Sequence, residues 1–355
     1  MQKSHDYPMA GRLRVGVIGA SGYSGGELVR LLLGHPGVEL AAVGGASSAG
    51  SRLAEVHPHL AGTEAADLVI AHVDALPGVD LAFLALPHGR SAELAPGLLD
   101  GGTRVIDLAG DFRLPVSAYP EWYGFEHPSP AWLDKAVYGL PELFRDQVRG
   151  ADLVANPGCY PTPVAIGLAP LLAAELVEPG PILVDGKTGL SGAGRSVAEA
   201  VSYAVTEESV RPYRFPAHQH TPEMERVLEL ATGATPSVSF VPHLVPSVRG
   251  VLVTCYARAA AGATTGALTD TLLDAYAGEP FVRVLPPGGM VDTKRTRGAN
   301  VVELQAVVDA RTRTAVIVGA LDNLVKGAGG QAIQNLNLMA GFEETTGLPV
   351  AAVYP

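Results

Sequence analysis

One stretch near the start, LRVGVIGASGYSGGELVRLLLGHPGVELAAVGGASS, restricts the fold more than anything else in the chain. It runs from an apolar strand through a glycine-rich turn into an amphipathic helix carrying Leu28, Leu31 and Leu32, and then into a second apolar strand. That order is a βαβ unit. Gly19, Gly22 and Gly25 form G-x-x-G-x-x-G, a variant of the dinucleotide fingerprint in which small residues let a pyrophosphate approach backbone N–H groups at a helix N-terminus. Gly19, Ser21, Gly22, Tyr23, Ser24 and Gly25 are therefore expected to hold a dinucleotide, the alternative being a merely tight structural turn.

VDLAFLALPHGRSAEL and TRVIDLAGDFRLP each supply a further short apolar strand ending in polar or glycine-rich residues. In an open parallel sheet, ligands gather beyond the carboxyl ends of the strands. Pro87, His88 and Gly89, and later Asp111 and Arg113, are expected near one crevice. His88 reads equally as a loop residue bonded to backbone, and Arg113 as an anion handle in preference to a surface ion pair.

After Cys159 the pattern changes. PILVDGKTGL, PSVSFVPHLVP, RGVLVTCYARA and NVVELQAVVDARTRTAVIVGALD read as strands, several joined by short turns, which implies a mixed or antiparallel sheet. Helices are expected at 161–174, 221–231, 265–277 and 327–341. The fold class is thus α/β, a Rossmann-type parallel-sheet domain plus an α+β catalytic domain. The expected divisions are 1–158 for the dinucleotide, 159–325 for catalysis and substrate, and 326–355 for a C-terminal helix returning to the first domain. A length of 355 residues makes two domains the default.

A formal net charge of −11, without a Lys/Arg cluster, argues against nucleic-acid binding and against docking on an anionic membrane. Small-molecule chemistry remains. MQKSHDYPMAGR offers no apolar segment for a signal peptide, so a cytoplasmic location and reduced thiols are expected, with a homo-oligomer as the assembly. Of the two cysteines, Cys255 sits in an alternating strand pattern and reads as core.

The other cysteine lies in VANPGCYPTP, at a break in regular structure. Pro161 and Pro163 fall where a helix begins, which places Cys159 at a helix N-terminus whose partial positive charge favours thiolate. Cys159 is a nucleophile candidate; the bland alternative is an inert cysteine beside a helix cap. PAHQHTPEMERVLEL puts His218 and His220 just before another helix, His218 as general acid/base and His220 as an orienting or substrate-facing group. No Cys, Asp or Glu accompanies them at ligand spacing, so no metal is expected. Lys187 with Ser191, Gly192 and Arg195 in KTGLSGAGR could form an anion nest, or a mobile solvated loop, and His243 and Arg249 could add contacts to a substrate carboxylate.

The second strand ends without the Asp or Glu that accepts bonds from the ribose hydroxyls of NAD. It offers Ser47, Ser48 and, farther on, Arg52, which suit a 2′-phosphate. NADPH is the expected cofactor.

Taken together, GASGYSG, ALPHG, DLAGDFRL, YGLPE, ANPGCYPT, DGKTGLSGAGR, AHQHTPE, FVPHLVPSVRG and DNLVKGAGGQAIQN, in that order over almost the whole length, resemble the N-acetyl-γ-glutamyl-phosphate reductase family of arginine biosynthesis. The resemblance implies a fold like that of aspartate-semialdehyde and glyceraldehyde-phosphate dehydrogenases, and a thioester formed on the cysteine. By position it makes Cys159 the nucleophile and His218 the acid/base, and it puts Asn323, Lys326, Gly327 and Gln331 on the cofactor side of the cleft. Where the family often has an arginine after the second strand, this chain has Gly45, Ala46, Ser47 and Ser48. Two competing readings are a reductase of carrier-protein-linked aminoadipate or glutamate phosphate in lysine biosynthesis, and a non-catalytic dinucleotide sensor. The second has no use for a nucleophile.

Overall fold

The computed structural model describes residues 11–355 apart from 74, 76, 77, 196–198, 200 and 201. Two seven-stranded sheets organise them. The first contains β1 (Leu13–Ile18), β2 (Val38–Gly45), β3 (Ala71–His72), β4 (Leu81–Leu84), β5 (Arg104–Asp107), β6 (Val137–Tyr138) and β7 (Leu153–Ala155). Its order is β3-β2-β1-β4-β5-β7-β6, with every pairing parallel. β1 therefore lies between β2 and β4, and the chain order reverses there, which opens a crevice beyond the carboxyl ends of β1 and β4. The strands are apolar because both faces are covered: β4 is buried at all four positions.

The second sheet contains β8 (Ile182–Thr188), β9 (Arg211–Pro212), β10 (Val238–Leu244), β11 (Val251–Arg258), β12 (Val282–Val284), β13 (Val302–Asp309) and β14 (Thr314–Leu321). Its order is β12-β13-β14-β11-β8-β10-β9. The hairpin neighbours β13, β14, β11 and β8 run antiparallel, while β8 and β10 are parallel, so the sheet is mixed. Alternation decides its two faces. In β11 Val251, Val253, Cys255 and Ala257 are buried and the residues between them are not, so Cys255 belongs to the core.

The helix Pro161–Ala173 covers that inner face. It is apolar almost all round, as a helix enclosed between layers must be, and Val164, Ile166, Leu168 and Leu171 are wholly buried. Its first residue is proline, so Cys159 stands just outside it, at the carboxyl end of β7.

At the other end of the chain the expected helix over 327–341 divides into a π-helical turn, Val325–Gly329, and the α-helix Gly330–Ala340. The wider turn occurs where the backbone crowds its neighbours: a Cβ on Gly330 would lie 2.5 Å from Asn300 Oδ1, and one on Gly327 2.8 Å from Cys159 Cβ. Beyond it Ala332, Ile333 and Leu336 join the core formed by Leu28, Leu31 and Leu32 of the first helix. No helix among the described residues is long and apolar enough to cross a membrane.

Candidate active site

The glycine-rich turn joins β1 to the helix Tyr23–Leu32. Gly19 has φ +93°, and a Cβ there would lie 2.1 Å from the Ala85 carbonyl, so the turn is pressed against the end of β4. Gly22 caps the helix, and its missing side chain faces nearly open space, which leaves room for a phosphate over the helix N-terminus. Tyr23 is exposed and Ser24 half-buried beside it. Beneath the turn the His57 imidazole bonds the Ala20 carbonyl at 2.8 Å and fills the space that Gly26 vacates.

At the end of β2 the Ser48 hydroxyl oxygen is buried and has no partner, while Ser47 is exposed one residue earlier. A Cβ on Gly45 would sit 2.7 Å from Ser48 Oγ and 3.6 Å from Ser21 Oγ, so both hydroxyls converge on the strand end. This orphaned oxygen and the absence of an acid fit a phosphorylated ribose. Arg52 is engaged elsewhere, donating to Asp67 at 3.1 Å. Pro87 and His88 follow β4 on the cleft side, His88 edge-on to Tyr123, and the Gly89 N–H donates to Asp111 Oδ1 at 2.9 Å.

Asn156, Pro157 and Gly158 carry Cys159 between the two sheets. Asn156 Nδ2 donates to the Ala328 carbonyl and its Oδ1 accepts from Asn335 Nδ2. The Gly158 N–H donates to Glu223 Oε1 at 2.8 Å. Glu223, wholly buried, also accepts from the Tyr138 hydroxyl at 2.8 Å and pairs with Arg113 at 3.0 Å. One carboxylate thereby ties the helix His220–Thr232, the cysteine turn and the loop after β5 together. Sequence reading passed over Glu223, because its position in HTPEMERV carries no local sign of a partner 65 residues away.

Burial pushes the Cys159 thiol up to about 12, and the Glu223 carboxylate adds to the shift while Arg113 opposes it. Burial thus works against the acidification expected from the helix end. The backbone N–H groups of Cys159 and Tyr160 do pull toward thiolate, but the loss of solvent and the Glu223 carboxylate outweigh them.

The two histidines take different places. His218 stands in an aromatic box of Tyr160, Tyr213 and Phe240, and its Nδ1 accepts the His220 N–H at 3.1 Å. Burial drives its imidazole down to about 2, with the His220 and Arg214 charges adding. The His220 ring lies against Gly158, where a Cβ would be 2.5 Å from its Nε2, and its Nδ1 is buried without a partner. Burial, and then Arg113, hold His220 well below the ordinary imidazole range. Both rings are neutral at pH 7.

Several expected anion handles lie elsewhere. Lys187 and His243 pair with Asp185 at 2.5 and 3.1 Å. They stand on the face of the second sheet opposite Gly186, the residue that touches Tyr160, because side chains alternate along a strand. Arg249 is held by Glu27 through two 3.0 Å bonds and reaches Asp322 at 3.5 Å, which closes it to a substrate carboxylate. Arg195 donates to the carbonyls of Ser21 and Val56, both at 2.9 Å, so it leans on the nucleotide turn. Ser191 accepts from Asn323 Nδ2 at 2.9 Å, and Gly192 packs on Thr188 beside it.

Two residues assigned to the cofactor are also structural here. Lys326 is wholly buried and bonds Glu142 and Gln334, each at 2.6 Å, in a network where Glu142, Glu279 and Glu344 converge on Arg145 and Lys326. Gln331 donates to the Gly139 carbonyl inside the fold. Gly327 instead meets the nucleophile's own Cβ.

A family model described as the NAD binding domain of semialdehyde dehydrogenase matches residues 14–151, and one described as the dimerisation domain of semialdehyde dehydrogenase matches residues 159–323. Aspartate semialdehyde dehydrogenase II of Vibrio cholerae, complexed with ASA, superposes with a TM-score of 0.72 at 15% identity, over 94% of this chain and 99% of that one. The enzyme of Candida albicans with NADP gives 0.67 at 17%, over 93% and 98%. Fold and cysteine-centred cleft thus define a two-sheet oxidoreductase of the semialdehyde dehydrogenase type. The N-acetyl-gamma-glutamyl-phosphate reductase of Symbiobacterium thermophilum is 50% identical over 97% of this chain and 99% of that protein, and that of Magnetococcus marinus 46% over 98% and 100%. The chain belongs to the N-acetyl-gamma-glutamyl-phosphate reductase family.

Proposed function

We infer that the chain reduces N-acetyl-glutamyl 5-phosphate with NADPH, giving N-acetyl-glutamate 5-semialdehyde and phosphate, a step of arginine biosynthesis. The observation that carries this reading is the crowding of the cysteine turn: Glu223 accepts from the Gly158 N–H, the His220 ring lies against Gly158, and Gly327 packs on Cys159. A carboxylate is too poor an electrophile for hydride, whereas an acyl phosphate passes its acyl group to sulfur.

Burial disfavours the thiolate, so attack calls for a base. His220, neutral and against Gly158, takes the Cys159 proton as sulfur bonds the acyl carbon and the carbon–phosphate oxygen bond breaks. This gives His220 the role that the sequence reading assigned to His218. His218 holds the His220 backbone N–H and so sets the ring's position. Arg113, held by the buried Glu223 at 3.0 Å beside the cysteine turn, is the cation we assign to the leaving phosphate. Bound NADPH supplies the hydride that reduces the thioester. Collapse of the resulting thiohemiacetal breaks the carbon–sulfur bond, and His220 manages the proton as the aldehyde leaves and Cys159 is restored.

On the cofactor side Gly19, Ser21, Gly22, Tyr23, Ser24 and Gly25 line the pyrophosphate, and Ser47 and Ser48 receive the 2′-phosphate. Ser47→Asp is expected to raise the KM for NADPH far more than that for NADH, through like-charge repulsion. Equal losses would remove the phosphate from this loop. We keep the domain divisions near residues 158 and 325, the first lying between β7 and β8 and the second just after β14, where the chain leaves the mixed sheet for its last helix. We read the protein as a cytoplasmic homo-oligomer acting on a small molecule, with no nucleic acid or membrane partner. The dimerisation-domain match supports the oligomer, as do exposed Leu183 and Tyr256, paired across β8 and β11 on the outer sheet face.

The test is NADPH oxidation with N-acetyl-glutamyl phosphate beside the carrier-linked aminoadipyl and glutamyl phosphates. Turnover of the free substrate with phosphate release is expected. Preference for a carrier-linked substrate would overturn the assignment.

A further inference from the structure

We propose that Arg214 binds the α-carboxylate of the acyl-phosphate substrate and so selects the acyl chain delivered to Cys159. This rests on the substrate reading above. That substrate is anionic at two places: the phosphate at the reacting carbonyl, and the carboxylate three carbons away. The cleft therefore needs two cationic handles set apart.

The structure leaves few. Lys187 is held by Asp185, Arg249 by Glu27 and Asp322, Lys326 by Glu142, and Arg195 by the carbonyls of Ser21 and Val56. Arg113, joined through Glu223 to the cysteine turn, is already assigned to the phosphate. Arg214 is different. It lies exposed between β9 and the turn that carries the two histidines. Its charge is felt at His88, His218 and His220, the three imidazoles lining the cleft.

Its geometry is held in place. Arg214 Nη1 donates to Gln219 Oε1 at 3.0 Å, and Gln219 Nε2 lies 3.4 Å from His88 Nε2, so the guanidinium is tied across the cleft mouth. Among the described residues its other N–H groups meet no protein acceptor. The backbone at Arg214 is left-handed, φ +47°, a strained conformation that L-residues rarely adopt. Such strain persists where surrounding contacts fix it. Here the Tyr213 N–H donates to the Pro242 carbonyl, and the Tyr213 ring stands edge-on to His218 at 5.5 Å. A fixed guanidinium with free forked donors is suited to a carboxylate.

The reaction run backwards separates the two anions, because aldehyde and inorganic phosphate are then distinct substrates. In Arg214→Gln the KM for N-acetyl-glutamate 5-semialdehyde is expected to rise about tenfold or more, the scale of losing a charge-assisted bond. The KM for phosphate and the Kd for NADP+, which also reports a folded cleft, are expected to stay within about twofold. Arg214→Lys should recover part of the loss. With 4-acetamidobutanal, which lacks the carboxylate, wild type and Arg214→Gln should perform alike. A rise in the phosphate KM alone, unchanged constants, or an equal loss on 4-acetamidobutanal would each overturn the proposal. A wild-type protein inert toward semialdehyde, phosphate and NADP+ would instead overturn the substrate reading.

Discussion

At Cys159 the backbone and the surroundings pull the thiol in opposite directions. A helix N-terminus favours thiolate, but burial and the Glu223 carboxylate outweigh it, so the proposed route pairs the thiol with a base. His220→Ala is accordingly expected to lower kcat by about 100-fold or more, within the usual reach of general-base catalysis. His218→Ala should cost less and act more on KM; the reverse pattern in steady-state kinetics would return the base role to His218. Gly327 offers a separate check. A methyl there would sit 2.8 Å from Cys159 Cβ, so Gly327→Ala must displace the nucleophile. A loss of about tenfold or more in kcat with unchanged NADP+ affinity is expected, and wild-type turnover would show that the contact is tolerant.

The elements divide into those that sequence makes legible and those it cannot. β1, its glycine turn and the helix Tyr23–Leu32 are local patterns, and the structure has them in place. The helix at Pro161 is equally local, since proline marks its first turn. Lys187 shows a different limit. It follows Gly186 in a strand of period two, so it must face away from whatever Gly186 touches, but only the fold says that this is Tyr160. The resemblance puts Lys326 and Gln331 at the cofactor and the local pattern offers Arg249 to a carboxylate, but their partners, Glu142, Gly139 and Glu27, are distant in sequence.

Glu27 and Arg249 join the first helix to the second half of the chain, and they make a prediction at this scale. Burial would raise the Glu27 carboxyl, but hydrogen bonds from Arg30 and Arg249 hold it down at about 2, against 4.5 ordinarily. A carboxyl depressed by folding stabilises the native state at pH values above its unfolded pKa, and that contribution is lost as pH falls toward the folded one. Glu27→Gln should therefore cost about 3 kcal/mol at pH 7 in urea unfolding, and the difference should shrink between about pH 4.5 and 2. A difference independent of pH would mean that the pair contributes packing alone.

Over the whole molecule, the parallel sheet, the mixed sheet and the cysteine between them answer to the sequence pattern. The grip of Glu223 on Gly158 does not, because a buried carboxylate shared by three elements exists only once they meet. What the assembled molecule is built to do is move an acyl group onto one sulfur. The direct measurement is to mix protein with N-acetyl-glutamyl phosphate without NADPH, quench in acid, and follow phosphate release and intact mass together. About one phosphate per active site and one acyl adduct, mapped to Cys159 and absent from Cys159→Ser but present in Cys255→Ser, is the predicted result. No adduct, or an adduct on another residue, with NADPH-dependent turnover intact, would contradict the covalent route.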